Sequence, residues 1–193
     1  MNDKVSAGRV SGATLAVGPW GQADGSYQFS GTATSYVEIP NTQGQLLDFR
    51  RSVSILAWIY WEGKPGPIVN YHSNGFGVHL WATGQNQLFA RFVKRNGDLS
   101  KPLTFSGLQM KSWQYVGCSY NYITGEAKLW LNSKAVIEVK LEIFEIQTQF
   151  DIRIGARLND QRFFKGRIAC VQFYPSALTG AEIAQVKDVC KGN

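Results

Sequence analysis

Between Ser52 and Tyr174 the chain reads as a succession of short strands separated by turns, and that rhythm leaves few folds open. Ser52–Trp61 is rich in aromatic and β-branched residues and predicts a central strand, ended by the turn Gly63-Lys-Pro-Gly-Pro67. Ile68–Tyr71 and Phe76–Trp81 form the next pair around Ser73-Asn74-Gly75. Gln87–Val93 runs into Asn96-Gly97, a strong hairpin signal because the tight turn needs positive φ at its centre. Trp113–Tyr120 and Glu126–Leu131 flank a turn with Gly125 at its end, and Ala135–Leu141, Phe150–Ile154 and Phe163–Tyr174 complete the set. Roughly a dozen strands at this spacing predict an all-β fold of two antiparallel sheets packed face to face. No repeat, linker or composition break divides them, so the expectation is a flexible tail over residues 1–12 and one domain over residues 13–193. Trp58 and Ile154 are expected to share its aromatic interior.

Only the end of the chain reads as helical. Thr179 and Glu182 have the spacing of a capping box, in which two orphan backbone donors are satisfied reciprocally. Ile183, Val186 and Cys190 then fall on one helical face. Packing of that face on the sandwich would bring Cys190 towards Cys170, and the two could close a disulfide; two free thiols are the other reading. Cys118, in Trp113-Gln-Tyr-Val-Gly-Cys118, is expected as a small buried apolar residue.

Twenty Lys and Arg against 14 Asp and Glu leave a net charge of +6, which favours anionic partners or serves solubility. The basic residues fall into two groups: Arg91, Lys94, Arg95 and Lys101 around one hairpin, and Arg153, Arg157, Arg162, Lys165 and Arg167 around another. Leu88, Ala90 and Phe92 alternate with Arg91, and Ile152 and Ile154 share a face with Phe150, so Arg91, Arg153 and Arg157 are expected to point away from the interior. Guanidinium groups set in a row hold sulphate or carboxylate in bidentate fashion. Trp81 and Trp130 are candidates for stacking on a sugar face, with burial as the alternative. The aromatics mostly alternate inward, which argues against a nucleic-acid platform. No run of about 20 apolar residues predicts a membrane span. Met1-Asn-Asp-Lys-Val5 lacks the apolar core of a signal peptide, so the chain is either intracellular or a mature or excised piece of a longer protein.

Four stretches together resemble laminin-G-like domains, members of the concanavalin A-like lectin/glucanase superfamily with a jelly-roll sandwich. They are Tyr27-Gln-Phe-Ser-Gly31 with Ser35-Tyr-Val-Glu-Ile-Pro40; Ser54-Ile-Leu-Ala-Trp-Ile59; Trp113-Gln-Tyr-Val116 with Gly125 and Leu129-Trp-Leu-Asn132; and Phe164-Lys-Gly-Arg-Ile-Ala-Cys170 through Glu182. The resemblance implies an opening strand pair at the first stretch, a secreted binding module and carbohydrate or extracellular-protein ligands, with adhesion as a role. It also implies calcium in many members, held by acidic residues where this chain has Ser30 and, near Cys170, Ala169. One hydroxyl and one methyl replace the carboxylates calcium needs, so no cofactor is expected there. Asn159 and Asp160 are a weak alternative metal site.

Enzyme chemistry finds little footing. The Glu-x-Asp-x-x-Glu strand of the fold's retaining glycosidases is absent, and Glu138, Glu142 and Glu145 read as solvent-facing. His72 and His79 have no nucleophile elbow nearby, and zinc would need more His and Cys than the chain offers. The expected function is therefore non-enzymatic recognition of anionic carbohydrate by Arg91, Lys94, Arg95, Lys101, Arg153, Arg157 and Arg162 with Trp81 and Trp130. The alternative is a structural or adhesion module that binds other proteins.

Overall fold

A computed structural model of the chain describes residues 8–41, 46–71 and 77–192. Among these the strands are, in chain order, β1 (Arg9–Ser11), β2 (Thr14–Ala16), β3 (Ser26–Ser30), β4 (Tyr36–Ile39) and β5 (Val53–Trp61). Next come β6 (Gly66–Tyr71), β7 (Val78–Thr83), β8 (Gln87–Phe92), β9 (Leu103–Ser106) and β10 (Trp113–Tyr120). β11 (Glu126–Leu131), β12 (Lys134–Lys140), β13 (Ile152–Ile154), β14 (Lys165–Tyr174) and the helix α1 (Gly180–Val186) close the chain. They build two antiparallel seven-stranded sheets, the first in the order β1-β4-β13-β6-β7-β8-β9 and the second in the order β12-β11-β10-β5-β14-β3-β2. The predicted jelly-roll sandwich is the fold.

The two sheets share one interior because alternate residues of each strand turn inward. β5 sends Val53, Ile55, Ala57, Ile59 and Trp61 into it, facing Val78, Leu80 and Ala82 of β7 and Leu88, Ala90 and Phe92 of β8. The two strands of the opening stretch do not pair with each other, contrary to expectation. β3 pairs with β2 and β14 in the second sheet, and β4 with β1 and β13 in the first. Within the stretch expected as a tail, Arg9–Ser11 pair with β4; residues 1–7 lie outside the described residues. Gly12 then carries the chain across to the second sheet at φ +55°, where a Cβ would lie 2.6 Å from the Thr34 carbonyl oxygen. The predicted turn Ser73-Asn74-Gly75, with His72, lies outside the described residues.

A second apolar cluster lies on the outer face of the second sheet, and it corrects the placement of Trp58. The residues of β5 opposite in parity to the core set, Leu56 and Trp58, meet Tyr115, Trp130 and Ala169 there under Ile183 of α1. Trp58 therefore does not share an interior with Ile154, which stays between the sheets. The capping box forms as expected, with Glu182 N–H donating to Thr179 Oγ1 and Thr179 N–H to the Glu182 carboxylate. Full burial of Ile183 contributes about 1.5–3 kcal/mol to holding the short helix down. Trp58 Nε1 donates to the Lys187 carbonyl at 3.0 Å, and Cys170 and Cys190 form a disulfide.

β14 explains how Cys170 reaches that face. Its alternation is not continuous: the register with β5 slips between Ala169 and Gln172, and Cys170 has φ +48°. Such a bulge changes which residues point inward. Ile168 faces the core before it, Val171 and Phe173 face the core after it, and the successive residues Ala169 and Cys170 both pack on the outer cluster. The outer face of the second sheet is thus closed by the C-terminal segment. Among the described residues no helix covers the first sheet.

Candidate functional site

The outer face of the first sheet carries a transverse row of polar side chains. The register places Arg9 beside Glu38, Glu38 beside Arg153, Arg153 beside Asn70, Asn70 beside His79 and His79 beside Arg91. Each is opposite in parity to a core residue, so one row crosses β1, β4, β13, β6, β7 and β8. In the next row Trp81 is beside Phe89.

Where β7 and β8 meet the 155–163 loop, these rows form the floor of a cleft of about 230 Å3. The rings of His79 and Trp81 lie 5.9 Å apart and those of His79 and Phe89 6.4 Å apart, tilted in a short ladder. Trp81 Nε1 donates to Asn70 Oδ1 at 2.9 Å, which fixes the indole. Arg91, Arg157 and Arg162 wall the cleft with Thr83 and Leu99.

The three guanidinium groups are not equivalent. Asp160 accepts from Arg162 Nε at 2.9 Å and Nη2 at 2.6 Å, and Arg157 Nη1 lies 3.8 Å from the same carboxylate. The Arg162 fork holds Asp160 below the usual carboxylate range, and Asp160 in return raises Arg162. Burial lowers Arg157, helped by the charge of Arg162 and opposed by Asp160. Arg162 lies over the Trp81 ring, 4.4 Å from its centre. Arg91 lies over Phe89 at 5.4 Å, has no carboxylate partner among the described residues, and its buried Nε meets no acceptor there. The cleft thus offers one uncompensated fork beside an aromatic floor.

Of the residues singled out from the sequence, the structure brings Trp81, Arg91, Arg157 and Arg162 together. The others lie elsewhere. Arg153 is held by Glu38 at 2.8 Å and stacks on Tyr36 at 4.1 Å. Lys94 pairs with Glu142 at 2.6 Å, and Lys101 lines a neighbouring cleft. Trp130 is 4% exposed, packs beneath α1 and donates to Ser119 Oγ at 2.9 Å; it is a packing residue of the opposite face. Trp81 is itself only 2% exposed and supports the cleft from below. Lys165 lies 3.8 Å from Glu62, and Arg167 covers the Tyr60 ring at 3.9 Å. Sequence reasoning missed His79, Phe89 and Leu99 as cleft residues. The parity of His79 with Trp81, and of Phe89 with Arg91, was the signal available for the first two. A larger, apolar cleft of about 470 Å3 opens at the edge between the sheets beside Trp20, Tyr27 and Val171, but no cation among the described residues lines it.

Arg95 is a structural pin. Its Nη1 and Nη2 donate to the two Asp48 oxygens at 2.8 and 2.7 Å, and Thr148 Oγ1 donates to the same carboxylate at 2.8 Å. Burial alone would raise the Asp48 carboxyl; the fork and the hydroxyl overcome that and hold it below its ordinary value of 3.8. Asp48→Asn is expected to destabilise the protein by about 2 kcal/mol at neutral pH, less than a fully buried pair would lose because Arg95 keeps 28% exposure. A group with a depressed folded value stabilises above its unfolded value and loses that contribution as pH falls through the folded one. Urea melts of wild type and variant are therefore expected to differ at pH 7 and to converge as pH drops below about 4.

The calcium implied by the fold family finds no suitable donors at the expected positions. Ser30 Oγ is 2.9 Å from Thr32 Oγ1, the Gly31 carbonyl accepts from the Lys64 ammonium at 2.5 Å, and Ala169 packs in the outer cluster. Asn159 and Asp160 do not form an alternative site, since the Asp160 carboxylate is engaged by two guanidinium groups. Among the described residues no cluster of three His, Cys, Asp or Glu could hold a metal.

Comparison with known proteins agrees with this architecture. No curated protein sequence matches the chain. The binding domain of botulinum neurotoxin serotype G superposes with a TM-score of 0.76 at 13% identity, over 97% of this chain and 47% of that one. The receptor-binding domain of botulinum neurotoxin D gives 0.72 at 16% identity, over 96% and 47%. That of the C/D mosaic serotype gives 0.71 at 14%, over 97% and 46%. The chain spans about half the length of these structures, and at such identities the likeness is one of fold. The sequence itself matches a laminin G family profile, described as the concanavalin A-like lectin/glucanases superfamily, over residues 30–184. With two seven-stranded sheets in jelly-roll order beneath that match, the chain belongs to the concanavalin A-like lectin/glucanases superfamily as a laminin-G-like domain.

Proposed function

We propose that this domain binds anionic carbohydrate, without catalysis, at the cleft on the outer face of its first sheet. The carrying observation is Arg91: a guanidinium with no carboxylate partner among the described residues, set beside the ring ladder of Phe89, His79 and Trp81. Phe89, half-buried, offers an apolar surface to a sugar, His79 and Trp81 support it from below, and the fork accepts a planar carboxylate or a sulphate in bidentate geometry. A volume of about 230 Å3, below the ~300 Å3 at which drug-sized pockets begin, suits one sugar ring. Among the described residues no carboxylate lines the cleft, whereas glycoside hydrolysis needs two across the scissile bond. Glu138, Glu142 and Glu145 are paired instead with Lys128, Lys94 and Arg50. The Cys170–Cys190 disulfide suits an extracellular setting, and some structures sharing the fold are receptor-binding domains.

A glycan array probed with and without calcium tests this. Binding is expected to concentrate on uronate-bearing or sulphated sugars, to need no calcium, and to weaken steeply with salt because paired ions are displaced. Neutral sugars bound equally well, or capture of matrix proteins that resists removal of their glycans, would favour the adhesion reading.

A further inference from the structure

We infer that the natural ligand is a linear polyanionic glycan that occupies two anion subsites at once, the Arg91 cleft and a second cleft on the far side of Leu99. This rests on reading the Arg91 cleft as an anion site. The second cleft, of about 260 Å3, is lined by Lys94, Lys101, Lys140 and Phe144, and Leu99 lines both. It repeats the chemistry of the first. Lys94 Nζ lies 5.7 Å over the Phe144 ring, and that ring stacks on Tyr120 at 5.0 Å. Glu142 takes up the charge of Lys94, whereas Lys101 and Lys140 have no carboxylate partner among the described residues. Among the described residues three cations line each cleft, and one carboxylate engages each set, Asp160 behind the wall of the first and Glu142 in the lining of the second.

The separation of the two subsites is held by the backbone. Val93 bridges to Leu99, Lys94 N–H donates to the Asp98 carbonyl at 2.8 Å, and Ser100 N–H donates to the Phe92 carbonyl at 3.0 Å. β9 packs against β12 and β11 of the second sheet, which sets Lys140 beside the same hairpin. Each cleft is too small for more than about one ring, and the half-exposed Leu99 lines both. A chain bearing an anion on successive units can cross Leu99 and engage both; a single charged sugar can engage only one. The second contact is then intramolecular and adds affinity through effective concentration.

Calorimetric titration with heparin-derived di-, tetra- and hexasaccharides, repeated across a salt series, tests the inference. The hexasaccharide is expected to bind at least about tenfold more tightly than the disaccharide. Its log affinity should also fall more steeply with log salt, by up to about one unit of slope for each additional cation engaged. Lys101→Glu combined with Lys140→Glu should remove the length-dependent gain, so that the hexasaccharide binds no more tightly than the disaccharide. Both side chains are exposed, so an unaltered thermal melt will show the variant folded. Equal affinity for all lengths, or a gain that survives the double substitution, overturns the two-subsite inference alone. Failure of every fragment to bind overturns the reading of the Arg91 cleft with it.

Discussion

Arg91→Glu is expected to reduce affinity for anionic sugars by at least about 30-fold, equivalent to about 2 kcal/mol, with the fold intact. The size follows from the environment. Arg157 and Arg162 share Asp160, so their charge is already partly spent; Arg91 faces no carboxylate among the described residues and carries a buried Nε without an acceptor. A carboxylate at this position would repel the ligand that the fork is placed to receive. Stability should change by only about 0.5 kcal/mol, because the substitution breaks no ion pair and loses only a contact on Phe89. Arg91→Lys keeps the charge and removes the fork, so it should retain salt-sensitive binding at reduced affinity. Arg162→Ala should cost less, since it uncovers the Trp81 ring while releasing Asp160. Equal losses in the Arg91 and Arg162 variants would show that the cleft reads only total charge.

Replacing both Cys170 and Cys190 with Ala is expected to cost about 3 kcal/mol of stability, the chain-entropy value for a loop with a sequence separation of 20. For a domain of this length that corresponds to a fall in Tm of about 6–12 °C. The bridge anchors the segment after α1 over Trp58, Tyr115 and Trp130, alongside the bond from Trp58 Nε1 to the Lys187 carbonyl. Near-ultraviolet dichroism should therefore change in the tryptophan region along with the melt. Binding to anionic glycans should not change, because α1 covers the second sheet and the Arg91 cleft lies on the first. An unchanged Tm would mean that the apolar contacts and hydrogen bonds hold the segment without the bridge. A parallel loss of glycan binding would place the ligand on the second sheet instead.

Much of the architecture is legible in local pattern. The alternation of Leu88, Ala90 and Phe92 puts Arg91 outside, and both observations stand in the structure. The capping box at Thr179 and Glu182 starts the helix where it starts, since it needs only residues three apart. Local pattern fails where two faces of one strand are both apolar. Every residue of β5 from Val53 to Ile59 is buried, so composition cannot tell the interior from the cluster under α1, and Trp58 belongs to the cluster rather than to the expected interior. It fails again at β14, where one extra residue at Cys170 reverses the parity of the strand's second half.

The candidate site divides along the same line. Residue type singled out Arg91, Arg157, Arg162 and Trp81, and strand parity turned Arg91 outward; Arg157 and Arg162 stand in the 155–163 loop, where no alternation applies. Which of the chain's candidate arginines keep their charge available was decided by pairing across the fold: Glu38 reaches Arg153 from 115 residues away, and Asp48 reaches Arg95 from 47. The sequence by itself therefore determined two pleated layers with cations on their outer surfaces, since hydrophobic burial acts on every second residue wherever its neighbours lie. Only the tertiary structure decided where those cations are neutralised and where they are left facing a ring ladder, since Coulomb attraction depends on distance in space and not along the chain.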